Sequence, residues 1–444
     1  MSATFTRGAL VALCTALLAG LLAALYTLPA GAAVMEPLGL DMRALRPLHT
    51  VFGAAWLALA AVAVLARVLR DHSALRLVVA SFAFAGIGIL VTLPLGHWSG
   101  REYVGFHPGW AIPIALGWLA LCIWALRQLL PAIWRQPVHV LMWVSGLGLF
   151  AFTFAEQYAW LLPQVLEDPI VDRRIQLKSC GTLIGSLNFL VYGCLVWLGA
   201  QLGDRDYGHS RTAWALWFLA VLNNFVNYVH HTYHLPQGHG LKWIGFLVSM
   251  TEIVVLLKAL SDLTKLHTDG GACRTLLAAA KGWTVFVLAS SMLLALPPLN
   301  SLVHGTYLVP GHAMAGMVGM DTMAMLAVVA WLLGQPMGGA RRWIVMTNAA
   351  LATMTIWLHA AGIVDGITRF LHPGPGFTHR PAWLAASLAP VLAVTGGAVF
   401  LGFAGLLPHF LRLAFARRRL CDDPLDEETA LAPTESRGTR SRSQ

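Results

Sequence analysis

Three short stretches place imidazole inside long apolar runs: Arg46-Pro47-Leu48-His49-Thr50, His230-His231 and Gly311-His312-Ala313-Met314. Ionisable side chains within a membrane are costly and tend to be functional. Imidazole is also the commonest protein ligand for metals, haem iron and copper included. The spacing adds detail. Residues two apart on an α-helix differ by about 200°, so His312 and Met314 face opposite sides. One helix can then ligate two haems, one on each flank. His230 and His231 differ by about 100°, so both reach one metal only near a helix end or with bent geometry. A lone histidine of this kind is ordinarily a satisfied interfacial side chain, whereas a whole layer of them points to metal chemistry.

The elements that must carry these residues are membrane helices. Of 444 residues, 57% are hydrophobic and 11% charged, against about 25% charged in a soluble domain. The mean hydropathy is +0.66. A membrane span needs roughly 20 apolar residues, and such runs lie near 9–30, 48–69, 76–96, 110–131, 138–161, 180–202, 211–231, 241–264, 275–297, 311–334, 343–366 and 382–410. The sequence therefore predicts an all-α polytopic bundle of about twelve spans over 1–420, then a polar, disordered tail over 421–444. The run after Arg7 is long for a signal core and reads as an uncleaved first helix.

Lysines and arginines orient the bundle. Arg67, Arg70, Arg76, Arg127, Arg135, Lys265, Arg274, Lys281, Arg341, Arg342, Arg417, Arg418 and Arg419 share one set of loops. Placing them inside makes both termini cytoplasmic, and explains the net charge of +9 without nucleic acid. His49, His97, His107, His230, His231, His234, His239, His304, His312, His359, His372 and His379 then fall outside. Only His72, His139, His209, His267 and His409 fall inside. Cys14, Cys122, Cys180, Cys194, Cys273 and Cys421 are scattered, which excludes c-type haem attachment and argues against a thiolate metal site.

Four motifs in order resemble the catalytic subunit of haem-copper oxidases, especially its cbb-type oxidase and nitric-oxide reductase branches, over about helices one to eleven. The motif around His49 is similar to that of the low-spin haem ligand. Gly100-Arg101-Glu102-Tyr103 resembles the outer loop that touches haem propionates and calcium. His230-His231 resembles the pair that binds the second, non-haem metal. His304-Gly305-Thr306-Tyr307, then Gly311-His312, resembles the approach to the high-spin haem ligand.

The departures are specific. The family's third metal histidine, in its sixth helix, has no counterpart here, and Leu187 beside Asn188 takes its place. Met314 stands for the second low-spin haem histidine, and Asn224 for the redox tyrosine of cbb-type oxidases. The loop's second acidic residue is absent, since Val104 and Gly105 follow Tyr103. A His/Met pair still holds low-spin haem and tends to raise its potential. Two imidazoles bind copper or iron more weakly than three unless Asn188, Asn224, Tyr228 or water completes the shell. Loss of the tyrosine tilts the reading towards nitric oxide, but the inward glutamates of nitric-oxide reductases are missing too.

The resemblance implies one or two b-type haems, on His312 and on His49 with Met314, and a second metal, copper or iron, on His230 and His231. It implies a multi-pass subunit of a bacterial inner membrane, in contact with lipid, that reduces nitric oxide or oxygen. Electrons come from a partner cytochrome or quinol. The competing readings are a non-catalytic haem protein, either a diatomic-gas sensor or an electron carrier, and a transporter on the same scaffold. Glu156, Glu252, Lys258, Asp321 and Asp365 are the other intramembrane charges, and suit a proton route. Glu252 with Lys258 reads equally as helix glue or snorkelling. Arg43, Arg46, Arg101 and Arg369 suit propionates or simple interfacial anchoring.

Overall fold

The computed structural model describes residues 1–69, 74–131, 133–203, 205–226, 228–233, 235–266, 271–334, 338–372 and 380–416. The predicted tail and His72, His234, His267 and His379 lie outside them. Among the described residues there is no strand, only an isolated bridge between Trp98 and Phe106.

Eleven helices are long and apolar enough to cross a membrane. With one shorter helix they give twelve consecutive elements: α1 (Ser2–Tyr26), α2 (Met42–Val68), α3 (Leu75–Thr92), α4 (Ala111–Leu129), α5 (Val138–Glu156), α6 (Pro169–Gln201), α7 (Arg211–Val226), α8 (His239–Leu266), α9 (Ala272–Ala295), α10 (Leu308–Leu332), α11 (Ala340–Leu371) and α12 (Ala382–Ala416). The described residues of the seventh predicted span are helical throughout, over α7 and over Tyr228–His231, the turn that carries His230 and His231. Helix α6 also starts at Pro169, about three turns before the predicted span. Asp168 caps it by accepting from the N–H groups of Ile170 and Val171, and Pro169 opens it. Its first turns are polar, so an apolar window misses them.

Without water in the bilayer core, helices associate through close packing rather than the hydrophobic effect. Small residues supply that closeness. Helix α1 lies along α2 with Ala9, Ala12, Ala16 and Ala19 buried on one side and Ala58, Ala60, Ala61 and Ala63 on the other. The Ser2 hydroxyl donates to the Ala63 carbonyl at 2.8 Å, and Arg7 Nε donates to the Ala414 carbonyl at 2.9 Å. The first helix is thus a packed member of the bundle, against both α2 and α12. Helix α6 is central: it meets α2, α5, α7, α8 and α10, and Phe189 to Leu198 are buried almost without interruption.

Helix α10 is not regular. Residues Ala315–Asp321 form a π-helical segment between α-helical ends. The Thr322 hydroxyl donates to the Met317 carbonyl at 2.8 Å and in turn accepts from Trp56 Nε1 of α2 at 3.2 Å. Gly319 lets Trp283 of α9 lie on the backbone. Such segments in helices recur at functional sites.

Gly362 and Gly366 let α11 approach the start of α10 and the turn before it. A Cβ at Gly362 would overlap the Leu308 backbone. Gly362→Leu is expected to destabilise the purified protein by about 1–3 kcal/mol through overpacking. Gly148→Ala, with open space around it, is expected to be neutral. Thermal unfolding in detergent checks both.

Candidate haem and metal centre

The imidazoles at the histidine-rich end share one arrangement. His49 Nδ1 lies 2.8 Å from the Ala16 carbonyl of α1. A carbonyl only accepts, so Nδ1 carries the proton and Nε2 keeps its lone pair. His312 Nδ1 lies 2.8 Å from Ser290 Oγ of α9, whose hydroxyl donates to the Val287 carbonyl at 3.1 Å. Nδ1–H therefore donates to the hydroxyl, and Nε2 again keeps a lone pair. His230 repeats this more loosely: its Nδ1 is 3.4 Å from Ser249 Oγ of α8, and Ser249 donates to Asn223 Oδ1 of α7 at 2.7 Å. Metal-bound histidines ordinarily spend their other N–H in this way.

His230 and His231 have ring centroids 4.4 Å apart at 40°. His312 lies within electrostatic reach of both, and His231 within reach of His304. His304 ends the short helix Pro297–Val303, and its carbonyl accepts from Arg369 at 3.0 Å. The predicted layer is thus a connected cluster on the His230–His231 turn, α10 and the segment before α10. His49 belongs to the other flank of α10. The Trp56–Thr322 bond fixes the depth. His49 is seven residues before Trp56 and Met314 eight before Thr322, on helices that run the same way, so the two share a level. His312 and Met314 are both half-buried.

Other expected members fall as follows. Leu187, in place of a third imidazole, is 1% exposed within the apolar core. Among the described residues no group of three or more His, Cys, Asp or Glu is placed to hold a metal ion. Asn224 is buried with Oδ1 unpartnered, as is Asn188 Oδ1. The Tyr228 side chain lies outside the described residues. At the rim, Arg46 pairs with Glu102, and Arg101 pairs with Asp172 at 2.8 Å while lying over Trp160. Tyr103 in that loop has φ +59°, a conformation non-glycine residues seldom hold without cause. Arg43 pairs with Asp41.

One residue was passed over. His359 of α11 is 8% exposed; its Nδ1–H donates to the Thr355 carbonyl at 2.7 Å, and Nε2 is buried with no partner among the described residues. It packs on Gly311 and edge-on to Phe286 at 5.0 Å. An intramembrane histidine is a sequence signal, but nothing local told it from the rest of the layer. His97 and His107 behave oppositely. Their rings are 6.1 Å apart, but His107 Nδ1 accepts from Gly109 N–H, which leaves Nε2 as the donor.

The family model for cytochrome c and quinol oxidase polypeptide I matches residues 2–407. The chain belongs to this family. A heme-copper terminal oxidase solved by cryo-electron microscopy as a dimer has the same fold: TM-score 0.72, 14% identity, 95% of this chain and 86% of that chain covered. A search of curated proteins finds no match. The oxidase family implies a haem and a copper or iron centre, and the donor set fits. At His49, His230 and His312 the Nε2 lone pair is left over once Nδ1–H is spent on a protein acceptor, which is the arrangement a ligating imidazole needs.

Ser290→Ala removes the acceptor of His312 Nδ1–H. It should cost about 1 kcal/mol in stability and weaken haem retention about 10–100-fold. Haem transfer to an apo-globin acceptor measures the second effect.

Proposed function

We propose that this chain is the haem-bearing subunit of a membrane respiratory oxidoreductase that reduces a small diatomic molecule, nitric oxide or oxygen. The observation that carries the proposal is the set of imidazoles at His49, His230 and His312, each with Nδ1–H directed to a protein acceptor and Nε2 free. His312 would hold one b-type haem, and His49, with Met314 at the same level, a second on the opposite flank of α10. His230 and His231 would hold copper or iron beside the first. Haem iron supplies the electron and a coordination position for the diatomic ligand. The protein's part is to orient the imidazoles through Ser290, Ser249 and the Ala16 carbonyl, and to exclude water with apolar helices. Electrons reach it from a cytochrome subunit or from quinol, in the inner membrane of a bacterium.

A second reading has its own observation. Leu187, which the resemblance sets in place of a third imidazole, is buried in the apolar core, and Asn224 offers no redox-active ring. This favours a haem protein without turnover, a gas sensor or an electron carrier.

Purified protein tests both readings. A pyridine haemochrome assay should give one or two b-type haems, and metal analysis one further copper or iron. Nitric oxide or oxygen should be consumed under reductant. His312→Ala should lose the first haem, whereas His230→Ala should keep haem and lose turnover. Haem without a second metal and without consumption selects the sensor or carrier. Absence of haem rejects both readings.

A further inference from the structure

Glycine inside a helix costs stability relative to alanine, so a helical glycine calls for a neighbour that requires it. Gly319, Gly362 and Gly366 have one, because a Cβ there would overlap an indole or a backbone. Gly53 of α2 and Gly316 of α10 do not: a Cβ at either would meet nothing within 4 Å. Both stand four residues after a candidate ligand, Gly53 after His49 and Gly316 after His312. Residues four apart on an α-helix differ by about 40°. Each glycine therefore shares a face with its histidine, one turn inward.

Those faces are open only over that turn. His49 and Gly53 are half-buried, but Leu57 and Ala61, the next two steps of the same row, are buried. His312 and Gly316 are half-buried, but Met320 and Ala324 are buried. The wider π turn keeps this second row together. An indole closes each recess from the inner side. Trp56, three residues after Gly53, is buried and donates to Thr322 Oγ1 at 3.2 Å. Trp283 lies on Gly319, three residues after Gly316, and donates to Asn348 Oδ1 at 2.6 Å. Glycines on the outside of the bundle look different. Gly148 of α5 and Gly282 of α9 also have open space, but their faces stay exposed one turn on, at Phe152 and Val285.

We propose that Gly53 and Gly316 are haem-clearance positions: the chain stays bare there so that a flat macrocycle can lie against each helix beside its imidazole. Gly53 serves the haem of His49, and Gly316 that of His312. This rests on the haem reading above. A side chain at either position is then tolerated by the haem-free chain and refused by the loaded one. The two glycines are on different helices and on different flanks of α10, so each controls one haem and spares the other.

The test compares full-length Gly53→Leu, Gly316→Leu and the outward-facing control Gly282→Leu, purified in detergent. By pyridine haemochrome assay each of the first two should lose one haem per chain, while Gly282→Leu matches wild type. Carbon monoxide should shift the reduced spectrum that remains in Gly53→Leu, whose His312 haem keeps an open coordination position, and leave that of Gly316→Leu unchanged. Produced without haem, all four chains should unfold at the same temperature, since no neighbour stands within 4 Å of the added Cβ. No haem in wild type sinks the haem reading and this inference with it. Haem that is present in wild type and fully retained by a leucine variant overturns the assignment of that glycine alone, and equal loss in Gly282→Leu overturns both. If a leucine variant fails to fold without haem, Gly53→Ala or Gly316→Ala decides. Haem transfer to an apo-globin should then speed up about 10-fold through overpacking, with no change in Gly282→Ala, and an unchanged rate overturns the assignment.

Discussion

A neutral imidazole has one N–H and one lone pair, and an apolar bundle has few groups to satisfy both. Much of this structure follows from how that is resolved. At His49, His230 and His312 the proton side is anchored to an oxygen on a neighbouring helix: the Ala16 carbonyl of α1, Ser249 of α8 and Ser290 of α9. Each anchor fixes a rotamer and a tautomer together. It also fixes which helices must adjoin. Helix α1 must lie on α2 closely enough for a backbone carbonyl to be reached, and Gly20 permits it, since a Cβ there would press on the His49 ring. The stripe of small residues between α1 and α2 and the orientation of a candidate haem ligand are one constraint.

The twelve elements were legible because apolar length is a strong signal in a membrane chain. What escaped had physical reasons. The polar first turns of α6 were masked by Asp172, Arg173, Arg174 and Lys178, which an apolar window rejects, although Asp168-Pro169 is a good start signal. The sequence suggested Glu252 with Lys258 as partners, but i,i+4 spacing gives Lys258 to Asp262, and six residues along a helix point Glu252 elsewhere. The four ligand candidates were legible from their types and order. Their serine anchors were not, because a serine in an apolar helix looks the same whether it bonds its own backbone or a neighbour's ring.

The family's scaffold and this chain's substitutions point in different directions at one place. Leu187 is packed on all sides in α6, at the centre of the bundle. A leucine there joins the contacts that hold α6 to its neighbours, and the local core is built around its volume. Replacing it with histidine would add a polar ring whose Nδ1–H needs an acceptor, unlike His230 and His312, whose acceptors are in place. The packing around Leu187 therefore holds no acceptor ready for an imidazole at that position.

Helix α10 shows why the π segment persists despite its poorer backbone geometry. Its outer end must aim His312 at Ser290 of α9. Its inner half must offer Thr322 to Trp56 of α2 and the bare backbone of Gly319 to Trp283 of α9. Thr322 addresses α2, whereas His312, ten residues earlier, addresses α9. A regular helix turns by about 100° per residue, so removing the extra residue would rotate every inner contact by that amount relative to His312. The bulge thus lets one helix serve a ligand register at one end and a packing register at the other.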